Sequence, residues 1–216
     1  MHWNGTVIEL EQGIHESSVF SVIGWYYKQL AMRFAIVFLA VVLASIQHSF
    51  GQNTDCATCI EWSANRPLIW ADFQGEPKER SRHKAVTDSG MSIGFSCNEG
   101  IPNVTVRTYF HPEESWTKTT ESDALLVHEQ LHFDITELFV RKLRKQLAAL
   151  GSDCNRVNKH IQDYYDRNYQ AYANYQELYD KETNHSIDEK RQKEWELRVA
   201  KELKALEAFS SKTEDL

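Results

Sequence analysis

LLVHEQLHFDITELFVRKLRK, residues 125–145, is the stretch on which the fold turns. Leu125, Leu126, Leu131, Ile135, Leu138, Phe139, Leu143 and Leu147 recur at the spacing of a helix with a buried face. Thr120, with Asp123 three residues on, predicts the N-terminal end, and Gly151 predicts the stop. Inside this helix lies His128-Glu129-Gln130-Leu131-His132. Two histidines four apart are separated by about 40° around the axis and about 6 Å along it, so both imidazoles reach one metal ion. Glu129 lies about 100° from His128, where its carboxylate can hydrogen-bond a water beside that ion. This is the motif in which zinc polarises a scissile carbonyl and a glutamate takes the proton of the attacking water.

A catalytic zinc takes three protein ligands and keeps one position open. The extended metzincin pattern needs a histidine at position 138, which is Leu138. Asp134 and Glu137 lie about 140° and about 160° from the midpoint of the histidine pair and point away from it. The third ligand must therefore come from farther along the chain. His185 is the first candidate, in the turn before a helix start; His160, Asp180, Glu182 and Asp188 are the alternatives. Asp180 could instead orient a ligand from behind.

Downstream, Asp153 predicts the cap of a second helix through about Thr183. It carries Tyr165, Tyr169, Tyr172, Tyr175 and Tyr179 as a packing stripe. Ser186-Ile187-Asp188-Glu189 has the form of a capping box and predicts a third helix to about Phe209. Upstream, Pro67–Trp70, Met91–Phe95 and Val104–Phe110 read as short strands. In the last, Val104, Val106, Thr108 and Phe110 share one face, and the strand offers an edge along which a peptide could align. Strands followed by helices predict an α+β domain, a small N-terminal β-sheet and then three helices, zincin-like, with the histidine motif on the first long helix.

The run MRFAIVFLAVVLASI (32–46) is shorter than the about 20 apolar residues that span a bilayer. With Arg33 before it and small residues after it, it predicts a signal peptide over 32–51, cleaved after Gly51. Met32 is then the initiator and residues 1–31 an over-called start. Residues 52–216 are expected to form a single domain, secreted or periplasmic, with no stable membrane span after cleavage. Export turns the four cysteines into disulfide partners with three possible connectivities. Cys97 with Cys154 is favoured, which leaves Cys56 with Cys59. The 24 Lys and Arg against 31 Asp and Glu give a net charge of -7, which disfavours nucleic acid. The sequence carries no signal for oligomeric state.

Three segments, PLIWADFQG (67–75), the helix 125–145 and YDKETNHS (179–186), together resemble the bacterial domain of unknown function 922. That family is generally described as predicted secreted zinc-dependent proteases, and the likeness runs from about Trp62 to about Leu206. The resemblance implies that His128 and His132 are metal ligands, Glu129 the catalytic base and His185 the third ligand. The family pattern has glycine after that last histidine, where this chain has Ser186. The expectation is an exported Zn²⁺ peptidase acting on peptide or protein substrates. The alternative is a non-catalytic, zinc-stabilised envelope binding module.

Overall fold

A computed structural model describes Cys56 and residues 58–211; the expected leader, its cleavage site and the alternative start lie outside these residues. Two ten-residue strands, β3 (Ser89–Asn98) and β4 (Ile101–Phe110), pair antiparallel along their full length. Glu99 and Gly100 join them with φ of 52° and 81°, the two positive values that a two-residue hairpin turn matched to strand twist requires. The short β1 (Ile60–Glu61) pairs with the far end of β4, giving the order β1-β4-β3. A separate ribbon is formed by β2 (Ala85–Val86) and β5 (Trp116–Thr117). Val106, Thr108 and Phe110 turn inward as the alternation predicts, and Arg107 turns outward.

Three helices follow: α1 (Asp123–Ala148), α2 (Cys154–Thr183) and α3 (Glu189–Ala205). The architecture is thus the expected α+β order. Among the described residues no helix is long and apolar enough to cross a membrane. Helix α1 is the central element because apolar residues occur on more than one of its faces. Leu131, Ile135, Leu138 and Phe139 pack against Tyr179, Trp195 and Val199 of α2 and α3. Val140, Leu143 and Leu147 meet Val106 and Val157, and Phe133 meets Phe110, Phe73 and Leu68. Of the tyrosine stripe, only Tyr179 is fully buried; the others are half-buried or exposed. Two disulfides form, Cys97–Cys154 and Cys56–Cys59, the first tying the end of β3 to the start of α2.

Three local expectations are corrected. Pro67–Trp70 is not a strand, and Trp70–Asp72 forms a single 3-10 turn. The cause is Asp72, whose carboxylate accepts from Ile69 N at 2.9 Å and from the Arg66 guanidinium at 2.8 and 3.1 Å, folding the segment on itself. Ser122, not Thr120, caps α1 by accepting from Leu125 N. Asp188, not Ser186, caps α3. A cap residue needs extended backbone, which Asp188 has at φ -86° and ψ 90°, whereas Ser186 sits at φ 72°. Helix α3 ends at Ala205, and a 3-10 turn, Glu207–Phe209, completes the predicted span.

Candidate metal centre

The last turns of α2 cross the first half of α1, and that crossing builds the site. His128 and His132 face α2 with their Nε2 atoms 3.2 Å apart. Asp180 Oδ1 stands 3.2 Å from one Nε2 and 3.1 Å from the other. One ligand atom from each of these three residues lies within 4.8 Å of the other two.

The far side of each imidazole is held by a glutamine. His132 Nδ1 is 2.7 Å from Gln176 Oε1, and Gln176 Nε2 donates to the His132 carbonyl, which fixes the amide orientation. His128 Nδ1 is 3.1 Å from Gln192 Oε1, whose amide nitrogen faces Glu196. A glutamine oxygen only accepts, so both Nδ1 atoms carry hydrogen, and in the neutral imidazoles both Nε2 atoms present lone pairs. Two lone pairs and a carboxylate oxygen therefore converge on one point, an arrangement that repels itself unless a cation sits among them. Tyr179 braces the group from below, its ring 4.7 Å from His128 and 4.9 Å from His132, with its hydroxyl donating to His128 O.

The electrostatics agree. Burial disfavours charge on His132, but Asp180 and Glu129 outweigh it and hold the imidazole above its ordinary value. Burial alone raises the Asp180 carboxyl; the His128 and His132 imidazoles beside it, when they carry a proton on Nε2, more than reverse this and hold it far below the carboxylate range. Both shifts mean that the site attracts positive charge. Burial likewise raises the Tyr179 hydroxyl, which stays protonated.

Glu129 is 3% exposed, and its Oε2 accepts from Thr87 Oγ1 at 2.8 Å. Thr87 also donates to the Glu129 carbonyl, at 3.1 Å. His185, the third ligand implied by the resemblance, lies at the rim, its side chain 44% exposed and its Nδ1 3.5 Å from Asp180 Oδ1. Asn184, His185 and Ser186 have φ of 48°, 52° and 72°, a left-handed run that ends α2 and carries His185 outward. Asp134 and Glu137 point away, as the helical angle requires. Asp134 accepts from Trp62 Nε1, and Glu137 from Thr108, Arg141 and Arg144. His160 stacks on Tyr164 near the start of α2.

The centre opens into a cleft of about 410 Å³. Its walls are the segment 82–87, the α1 face from Leu125 to His132, Asp180, and residues 185–187. The strand expected to offer an edge, β4, is not among them. It is flanked on both sides, with Thr108 O accepting from Trp62 N and Val106 O from Arg144. Thr87, Gln176 and Gln192 had no place in the sequence reading. Only Gln176 left a signal, four residues before Asp180 and so on the same face of α2.

No curated protein and no solved structure matches the chain. Residues 101–186 match the family model described as "Bacterial protein of unknown function (DUF922)". That region runs from β4 through the histidine pair and Asp180 to Ser186, and over it the chain is similar to the DUF922 family.

Proposed function

We propose that this protein is an exported zinc-dependent peptidase. The observation that carries the reading is the convergence of His128 Nε2, His132 Nε2 and Asp180 Oδ1 beside Glu129. Two imidazoles and one carboxylate are the donor set of a catalytic zinc with an open fourth position. His128, His132 and Asp180 would hold the ion, and His185 Nδ1 stands 3.5 Å from Asp180 Oδ1 at the rim of the site. Zinc so held would polarise a scissile carbonyl and acidify water.

The remaining work belongs to the chain. Thr87 engages Glu129 Oε2, which leaves Oε1 to accept the proton of the attacking water and pass it to the leaving amine. Gln176 and Gln192 keep both imidazoles in the tautomer that ligates through Nε2. Two disulfides fit an oxidising compartment outside the cytoplasm.

The test is hydrolysis of a broad peptide mixture by the zinc-loaded chain and by its Glu129→Gln variant. Glu129→Gln should lower kcat by about 10²–10⁴-fold, the contribution typical of a positioned general base, while zinc is retained. Zinc bound with no hydrolysis of any peptide would identify the non-catalytic binding module instead. Unchanged turnover in Glu129→Gln would refute the mechanism.

A further inference from the structure

The wall of the cleft opposite α1 carries two features that the proposed chemistry does not use. The first is the outer edge of β2. Lys84 O accepts from Lys118 N at 2.8 Å, and Ala85 and Val86 pair with Thr117 and Trp116. In an antiparallel ladder this makes 84/118 and 86/116 the hydrogen-bonded positions and 85/117 the intervening one. The N–H and C=O of Ala85 therefore point away from β5. Among the described residues no strand pairs with that side of β2. The segment that carries this edge, Ala85 to Thr87, lines the cleft, and Thr87 reaches Glu129.

The second feature is charge. Ala85 is buried and Thr87 meets Glu129, while Arg82 and Lys84, at bends just before β2, lie exposed. Neither cation has a carboxylate partner among the described residues, in a chain whose net charge is -7. The carboxylates that do line the cleft, Glu129 and Asp180, are taken by Thr87 and the histidines.

We infer that the substrate is an extended acidic peptide that adds as a third strand along the β2 edge. Its backbone pairs with the N–H and C=O of Ala85, and its carboxylates lie beside Arg82 and Lys84. Adding a strand to an open edge supplies affinity through main-chain hydrogen bonds. Cross-strand neighbours on one face select for opposite charge, and like charges there are destabilising. The strand placed this way runs past Glu129 and the histidine pair. This inference rests on the peptidase reading for its consequence but not for its measurement, because binding is read without turnover.

The experiment uses the full chain carrying Glu129→Gln, loaded with zinc, and fluorescence anisotropy of labelled ten-residue peptides. The probes are an alternating Asp/Val peptide, its Lys/Val counterpart, and the Asp/Val peptide N-methylated at alternate residues. The Asp/Val peptide should bind at least tenfold more tightly than the Lys/Val peptide. Arg82→Glu with Lys84→Glu, both exposed positions that leave the fold intact, should reverse that order. N-methylation should weaken binding at least tenfold. Equal affinity for the two charged peptides, an order unchanged by the double reversal, or tolerance of N-methylation would each overturn the inference. Hydrolysis of other peptides in that event would leave the peptidase reading standing alone.

Discussion

Replacing Glu137 with alanine tests how α1 is anchored to the sheet. Glu137 is 1% exposed, and its carboxylate accepts from Thr108 Oγ1 at 2.7 Å, Arg141 Nε at 2.7 Å and Arg144 Nη1 at 3.2 Å. Removing it strands the guanidinium of the buried Arg141 beside an unmatched Thr108 hydroxyl. Breaking one side of a buried ion pair costs about 3–5 kcal/mol. Arg141 keeps its bond to Leu203 O, and Arg144 keeps Val106 O and Phe209 O, so the lower end, about 3 kcal/mol, is expected. For a domain of this size that corresponds to a fall in Tm of about 10 °C. Urea unfolding followed by circular dichroism, with disulfides intact and a chelator present, reads the difference. Zinc content should not change, because Glu137 lies on the helix face turned away from the histidines. A loss below about 1 kcal/mol would mean that these charges are solvated and the anchoring account is wrong.

Ser186→Gly should stabilise the fold by about 1 kcal/mol, since glycine adopts the φ of 72° at Ser186 without the cost of a side chain; a destabilised variant in thermal unfolding would refute the strain. The Cys97–Cys154 bridge closes a separation of 57 residues, and its replacement by two serines should cost about 4 kcal/mol by chain entropy, against which an unchanged urea midpoint would count. The half-exposed His111–Asp88 pair predicts a pH signature. Its hydrogen bond to Asp88 raises His111 above 6.5, so that contribution is full below pH 6.5 and is lost as pH rises through the raised value. Its hydrogen bond to His111 lowers Asp88 below 3.8, so that contribution is present above this value and is lost as pH falls through the lowered one. His111→Gln should therefore cost less than about 1 kcal/mol at pH 5.5 and nearly nothing well above neutrality. An equal difference at both ends would sink the assignment.

Much of the frame was legible because it rests on local periodicity. The apolar spacing of 125–147 specified α1, and the alternation from Val104 to Phe110 specified which face of β4 is buried. Errors arose where a side chain overrode the pattern. Asp72 gathers backbone and guanidinium donors and turns the apparent strand at Pro67–Trp70 into a 3-10 turn. The left-handed run 184–186 moves the cap of α3 from Ser186 to Asp188. The same run bears on the site. Because α2 continues to Thr183, Asp180 stays on the helical face with Gln176 and meets the histidines, while His185 beyond the helix end reaches the rim. Spacing within α1 located the histidine pair and Glu129, but no spacing links Thr87 to Glu129, 42 residues apart, or Gln192 to His128, 64 apart. Those partners follow only from how the ribbon and α3 pack on α1.

Zinc stoichiometry by elemental analysis, on the purified chain and on its Asp180→Ala, His132→Ala and His185→Ala variants, addresses the centre itself. One zinc per chain is expected in the parent and in His185→Ala, with less than a tenth of that in Asp180→Ala and His132→Ala after dialysis against the same buffer. Full zinc retention in Asp180→Ala, or a parent chain that takes up no zinc, would contradict the three-residue centre on which the proposed chemistry depends.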